Sequence, residues 1–198
     1  MRYSVVTLLL LFAISCSQER PDPVDGERDT VGEAVTTTRE MVGQTDPERR
    51  LRELGIELRD LSGPSTASFV TAVRMDNALY LSGRGPVQEN GEFVKGKLGR
   101  DLTIEQGYEA ARLTGIDLLA AIKHELGDLN RVKQLVKVLG VVNADPDFES
   151  HPQVINGFSD LMLDVFGERG QHARSALGMG SLPFGIPVEI EMIVEIQD

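Results

Sequence analysis

The last part of the chain has the clearest alternation of apolar and polar positions. Between Val188 and Ile196 every second residue is apolar, and the opposite face carries three glutamates, the first of which is Glu189. A period of two residues is typical of a β-strand that is buried on one side. Just before it, Arg174 stands among small residues in a second predicted strand. We expect the strand of Arg174 to lie directly beside the strand of the glutamates.

Apolar residues at three- and four-residue spacing predict two long helices. The first opens at a capping box formed by Thr103 and Gln106 and ends at Gly127. The second begins around residues 150–152 and ends near residue 167. Each helix has one apolar face, which we expect to lie on a sheet. Gly115, on the apolar face of the first helix, should let that helix approach the sheet closely.

The remaining elements complete a single domain. Asp46 followed by proline and glutamate predicts the start of a short helix. Apolar segments at 69–73 and 79–81 flank a turn and predict a hairpin, and the long apolar segment 132–142 predicts a central strand. This order of elements indicates an α+β fold with one mixed sheet and two main helices on one face.

With both main helices on one face, the opposite face of the sheet is not covered by other elements of the chain. Ile193 is predicted to lie on that face among the glutamates. Apolar residues on an open sheet face are usually covered by another surface. We therefore expect the protein to assemble into a symmetric oligomer.

The N-terminal residues are expected to serve export. Residues 1–16 contain one positive charge, a short apolar stretch and, at the end, Cys16, which is the single cysteine of the chain. The stretch is too short to span about 30 Å of hydrocarbon and is typical of a signal peptide. It also resembles a lipoprotein signal, which implies lipidation of Cys16. Residues 17–46 are acidic and poor in apolar residues, and we predict a disordered tether before a domain at 47–198.

Charge and composition exclude several classes of partner. The 198 residues carry a formal net charge of −11. Binding to nucleic acid or to an anionic membrane surface depends on clustered Lys and Arg, so neither is expected, and a lipid on Cys16 would be the membrane contact. The three histidines show no metal-ligand spacing, and the glycine-rich segments match no phosphate or dinucleotide loop. We expect no cofactor.

Three segments resemble the RidA family, also called the YjgF or endoribonuclease L-PSP family. They are the LSGRGP turn at 81–86, the ARSA strand at 173–176, and the ending that runs from Leu182-Pro183 to Glu191. The similarity covers residues 51–197. It implies a chorismate-mutase-like fold and a homotrimer whose sheets pack as a barrel, with sites between subunits. It also implies that small 2-imino or 2-enamino acids are hydrolysed to 2-keto acids and ammonia without a cofactor.

The resemblance also implies roles for particular residues. Arg174 would bind the substrate carboxylate, and Glu189 would act as the acid/base on the attacking water. The other positions that correspond to the site are Phe69, Ser82, Gly83 and Ala176. Three positions depart from the deaminase branch, because Phe69 replaces a tyrosine, Ala176 a cysteine and Arg84 a glutamine. Carboxylate binding is therefore supported more strongly than the hydrolytic step.

Alternatives from the residues themselves stay open. Arg174 could instead pair with Glu189 or Glu191 across neighbouring strands, and Ser82 could serve packing, since no nucleophile elbow surrounds it. At the level of function, the first hypothesis is a 2-iminobutanoate/2-iminopropanoate deaminase-type hydrolase. The second is a trimeric lipoprotein that binds a small carboxylate or a partner protein without turnover. Both would lie outside the cytosol, periplasmic or tethered to a membrane.

Overall fold

The computed structural model describes residues 45–63 and 67–197 of the chain. The predicted signal, Cys16 and nearly all of the predicted tether lie outside these residues. The helices are α1 (Pro47–Glu53), α2 (Ile104–Leu126) and α3 (His151–Phe166). The strands are β1 (Ala72–Met75), β2 (Ala78–Arg84), β3 (Val132–Asn143), β4 (Ala173–Met179) and β5 (Val188–Ile196). Among the described residues, no helix has the length and apolar character needed to cross a membrane.

The five strands form one mixed sheet in the order β1-β2-β5-β3-β4. All neighbours are antiparallel except β3 and β4, which are parallel and are joined through α3. The predicted α+β fold with a mixed sheet is confirmed. The prediction that the strand of Arg174 adjoins the strand of the glutamates is wrong, because β3 lies between them. Strand β3, predicted to be central, is apolar on both faces towards its end and is an interior strand next to the central β5, so β4 pairs with one of its edges and β5 with the other.

The helix ends follow from local hydrogen bonds that the sequence predicts. The Asp46 carboxylate accepts from the backbone N–H groups of Glu48 and Arg49, at 3.0 and 3.2 Å. Thr103 and Gln106 form the reciprocal capping box that opens α2, and Gly127 ends the helix with φ 76°. The predicted start of α1 and both predicted ends of α2 are therefore confirmed.

The two long helices pack closely against each other as well as on the sheet. A Cβ at Gly157 of α3 would clash with the backbone carbonyl of Tyr108 in α2. Gly115 faces Phe158, Leu161 and Met162 of α3, so it admits the neighbouring helix and not the sheet, contrary to the prediction. Two helices can pack this closely only where a small residue faces the backbone of the neighbouring helix.

The sheet face opposite the helices carries apolar side chains. The register places Val73 opposite Tyr80, Tyr80 opposite Ile193, and Ile193 opposite Lys137 across four strands. Val73 and Tyr80 are exposed, whereas the alternate residues of β5 are fully buried under the helices. The expected alternation along β5 is confirmed, with one face in the core and the other open.

We predict that Gly157→Ala lowers the free energy of unfolding by about 1–3 kcal/mol, because the added methyl must displace the backbone of α2. Urea unfolding of the purified chain measures this. Gly180→Ala is the control, since a Cβ there meets no atom within 4 Å. Equal stability of the two variants would contradict the close helix contact.

Candidate functional site

A cleft of about 500 Å³ lies beside the β2–β5 pair and holds most of the predicted site residues. Phe69, Ser82, Gly83 and Glu189 all line it. Its walls also include residues that the sequence analysis did not assign to a site. These are Arg59, Phe93, Asp117, Pro183 and Phe184, together with Arg84 from the LSGRGP turn.

Glu189 lies at the open face near the start of β5, where the strand alternation turns its side chain away from the core. Gly83 of β2 faces this carboxylate, and a Cβ at that position would clash with Oε1. A glycine at position 83 therefore makes room for the Glu189 side chain. The register of β2 against β5 shifts between Leu81 and Arg84, which opens the pair at this point.

Burial raises the pKa of the Glu189 carboxyl above its ordinary value, and the nearby charge of Glu191 adds to this effect. In the described part of the chain, no lysine or arginine nitrogen lies within 4 Å of the Glu189 carboxylate. A carboxyl with a raised pKa and no cationic partner can gain and lose a proton closer to neutral pH. Glu189 therefore has the properties of a candidate acid/base.

Asp117 of α2 forms a charged cluster at another wall of the cleft. Its side chain is only 3% exposed. One carboxylate oxygen accepts a hydrogen bond from the Nε of Arg59, and the other forms an ion pair with Arg84, whose Nε lies 3.2 Å away. A buried carboxylate needs such partners, because the desolvation cost would otherwise be large. Asp117 thus fixes the position of two arginines at the cleft.

Arg174 lies on a different surface from Glu189. It stands opposite Val138 in the β3–β4 register, and its side chain turns toward α3. Its Nη1 donates to the side chains of Asn156 and Ser159, both at 2.9 Å, and Nη2 contacts the carbonyl of Pro152 at 3.5 Å. Pairing of Arg174 with Glu189 or Glu191 does not occur within the chain, because the arginine faces the helix layer.

His172 supports the position of Arg174 through Ser159. Nδ1 of His172 donates to the carbonyl of Gly170 at 2.7 Å, so the neutral ring accepts at Nε2 from the Ser159 hydroxyl at 3.1 Å. Burial lowers the pKa of His172, and the charge of Arg174 lowers it further. The same Ser159 oxygen accepts from Arg174. The network favours neutral His172 and holds the guanidinium at the outer strand.

The structure therefore brings together only part of the predicted site. Phe69, Ser82, Gly83 and Glu189 share one cleft, whereas Arg174 is on the other side of the sheet and Ala176 packs against the hydrophobic core. Ser82 Oγ donates to the carbonyl of Val70 at 2.7 Å. Its hydroxyl thus connects β2 to the segment that carries Phe69, which agrees with a structural use of the serine.

Two aromatic side chains form an apolar wall of the cleft. The rings of Phe93 and Phe184 are stacked, with centroids 5.5 Å apart and planes 9° apart. Phe184 is 74% exposed and has a φ of 58°, an uncommon value for a residue other than glycine. Backbone strain of this kind often occurs at ligand sites. The apolar wall suits the carbon chain of a small organic acid.

Within residues 45–63 and 67–197, no three His, Cys, Asp or Glu side chains are grouped so that they could hold a metal ion. Cys16, the predicted lipidation site, lies outside the described residues.

Known proteins are similar to this chain over most of its length. The family model described as "YjgF/chorismate mutase-like, putative endoribonuclease" matches residues 48–194. Protein TCP17 of Trypanosoma cruzi is 41% identical over 149 residues, which are 75% of this chain and 92% of that protein.

Two solved structures have the same fold. A protein of unknown function from Agrobacterium tumefaciens is 41% identical, with a TM-score of 0.70 over 76% of this chain and 94% of its own. A "putative endoribonuclease" from Shewanella oneidensis is 31% identical, with a TM-score of 0.72 over 76% of this chain and 99% of its own. The family and the fold expected from the sequence are both confirmed. The chain belongs to the YjgF/chorismate mutase-like family, which is the RidA family.

Proposed function

We propose that this protein hydrolyses small 2-imino or 2-enamino acids to 2-keto acids and ammonia. The observation that carries the proposal is the Glu189 carboxyl, which has a raised pKa and no cationic partner beside an open cleft. The resemblance to the RidA family suggests the reaction class, and the geometry of the cleft supports the role proposed for Glu189.

The reaction needs one group that first accepts a proton from the attacking water and then donates a proton to the leaving amine, both close to the imine carbon. Water adds to the imine carbon, and the Glu189 carboxylate accepts a proton from that water. Addition to the protonated imine gives a carbinolamine, which loses ammonia when the carboxyl returns that proton to the amine, while the hydroxyl group forms the ketone and releases its proton to solvent. The product is the 2-keto acid, so one water is consumed and one ammonia is released. The stacked Phe93 and Phe184 rings would contact the substrate carbon chain.

Arg174 is the proposed anchor for the substrate carboxylate. Nη1 is bound to α3, Nη2 makes one long contact, and Nε donates to no group in the described part of the chain. A guanidinium with donors left over can bind a carboxylate through parallel charge-assisted hydrogen bonds. Because Arg174 and Glu189 lie on different surfaces of one chain, a site that contains both needs Arg174 from a second copy.

A homotrimer would supply that second copy. The open sheet face has apolar residues such as Tyr80 and Ile193 in its centre, and β4, the strand of Arg174, is at the edge of the sheet. Packing of these faces as a barrel would bury the apolar residues and bring the edge strand of one subunit toward the cleft of the next. We further propose that the protein is exported and held at a membrane by a lipid on Cys16.

The alternative function is binding of a small carboxylate without turnover. The observation that favours it is Phe69, which lines the cleft but offers no hydroxyl where the deaminase branch has tyrosine. Ala176 likewise has no reactive group. An assay that separates binding from turnover decides between the two functions.

We predict that Glu189→Gln lowers the rate of 2-keto acid release by about a hundredfold or more, because the proton acceptor is lost. The assay generates 2-aminoacrylate in the presence of the purified chain and follows pyruvate. Glu109→Gln is the control, since Glu109 is exposed on α2 and does not line the cleft. No acceleration by the unmodified protein, or equal rates for Glu189→Gln and the unmodified protein, would contradict the proposal.

We also predict that Glu189→Gln stabilises the protein at neutral pH. The pKa of Glu189 is higher in the folded chain than in the unfolded chain, so ionisation opposes folding. The gain from glutamine should be absent below the ordinary pKa of about 4.5, grow as the pH rises toward the folded-state pKa, and then level off.

Thermal unfolding across this pH range measures the effect. Glu109→Gln, at an exposed position on α2, is the control and should show no comparable pH-dependent gain. A Glu189→Gln variant that is less stable than the unmodified protein at neutral pH would mean that the carboxylate has a cationic partner.

A further inference from the structure

The Asp117 cluster leaves more positive charge at the cleft than the buried carboxylate needs. Arg59 and Arg84 both form ion pairs with Asp117, so two guanidinium groups share one carboxylate. Counting these three side chains alone, the cluster has one excess positive charge. Arg84 does not neutralise Glu189, because their charged atoms are more than 4 Å apart. The cleft thus has an uncompensated cation at one wall and the candidate acid/base at another.

The donors of both arginines remain available. Each guanidinium uses its Nε on Asp117, and none of the terminal amino groups of Arg59 or Arg84 has a hydrogen-bond partner in residues 45–63 and 67–197. The Arg59 side chain is 46% exposed and that of Arg84 is 21% exposed. Both line the cleft that contains Glu189. A planar donor group held in place by a buried carboxylate loses little freedom when an anion binds.

A purely structural use of the two arginines would need only one of them. Asp117 is one charge, and a single arginine could satisfy both of its oxygens in the two-bond arrangement that guanidinium and carboxylate prefer. Instead Asp117 is paired with both arginines, and the contact of each is through Nε. The terminal amino groups of both side chains have no hydrogen-bond partner among the described residues, so they can meet a ligand.

We propose that Arg59 and Arg84 bind a second carboxylate of the substrate, so that the preferred substrates are 2-imino dicarboxylic acids. This inference rests on the proposed function, in which Arg174 of a neighbouring subunit binds the carboxylate next to the imine. The far carboxylate then lies on the Asp117 cluster, and the imine carbon lies between the two anchors, near Glu189. A cleft of about 500 Å³ is within the range of sites that enclose a whole small ligand.

The test compares two keto acids of equal chain length, as stable analogues of the products. 2-Oxoglutarate and 2-oxopentanoate share the same 2-keto acid group and differ in having a carboxylate or a methyl at the far end. Calorimetric titration of the full-length chain gives both Kd values. We expect 2-oxoglutarate to bind about tenfold more tightly or better, since hydrogen bonds between charged groups are worth about 1.5–3 kcal/mol.

Variants of the cluster should remove this preference. Arg84→Gln and Arg59→Gln should each reduce the ratio of the two Kd values, and the double variant should bring it close to one. Arg49→Gln is the matched control, because Arg49 is an exposed arginine of α1 that pairs only with Glu53 among the described side chains. Equal Kd values in the unmodified protein, or a preference that survives in the double variant, would overturn the inference.

Loss of a partner for Asp117 could disturb the fold, so a second comparison is needed. Arg84→Gln combined with Asp117→Asn removes the buried charge together with one of its two partners. We expect this variant to melt cooperatively and to show the same reduced preference for 2-oxoglutarate as Arg84→Gln. A regained preference would mean that Arg84 positions the helix and not the ligand.

Measurements of imino acid hydrolysis distinguish a failure of the second anchor from a failure of the proposed hydrolysis. A preference for 2-oxoglutarate in a protein that hydrolyses no imino acid would support the second anchor and overturn hydrolysis. Equal kcat/KM for imino acids with one and with two carboxylates would overturn the second anchor and support hydrolysis. Binding of neither keto acid would overturn both.

Discussion

The alternation of side chains along β5 is the constraint on which both the core and the candidate site depend. Val188, Ile190 and Met192 lie in the core under the two long helices, and the residues between them include Glu189 and Glu191. A shift of one residue in the pairing register of β5 would exchange its two faces and place the carboxylates under the helices. The apolar face therefore fixes the register, and the register turns Glu189 toward the cleft.

Charge at the cleft is arranged so that Glu189 stays without a cationic partner. Asp117 is buried, so it binds the nearby arginines strongly and holds Arg84 apart from Glu189. On the other side of the sheet, Asn156 and Ser159 hold Arg174, and neutral His172 supports Ser159. Three arginines are thus positioned by groups other than Glu189. This separation keeps the pKa of Glu189 raised and the arginine donors accessible to a ligand.

Local features of the fold could be predicted from the sequence because they depend on neighbouring residues. The capping box of Thr103 and Gln106 and the alternation along β5 are of this kind. The order of strands could not be predicted in the same way, since period-two patterns say which face is buried and not which strand is adjacent. The place of β3 between β4 and β5 depends on long-range pairing and on the connection through α3.

The site was predictable in part for the same reason. Glu189 and Gly83 come from the segments of the sequence that resemble the family, and both line the cleft. The Asp117 cluster joins residues from a loop, from β2 and from the middle of α2, which are distant in the sequence. Its signal was nonetheless present, because Asp117 stands between Ile116 and Leu118 in an apolar stretch, where a buried acid needs a partner.

A site shared between two subunits is the central claim, and mixed oligomers test it most directly. Arg174→Ala and Glu189→Gln chains, each inactive alone, are unfolded, mixed in equal amounts and refolded together. In a trimer with shared sites, random mixing pairs an intact Glu189 with an intact Arg174 at about one quarter of the sites. We predict that the mixture regains about that fraction of the activity. No regained activity, in mixtures shown to contain both chains in one oligomer, would contradict the account.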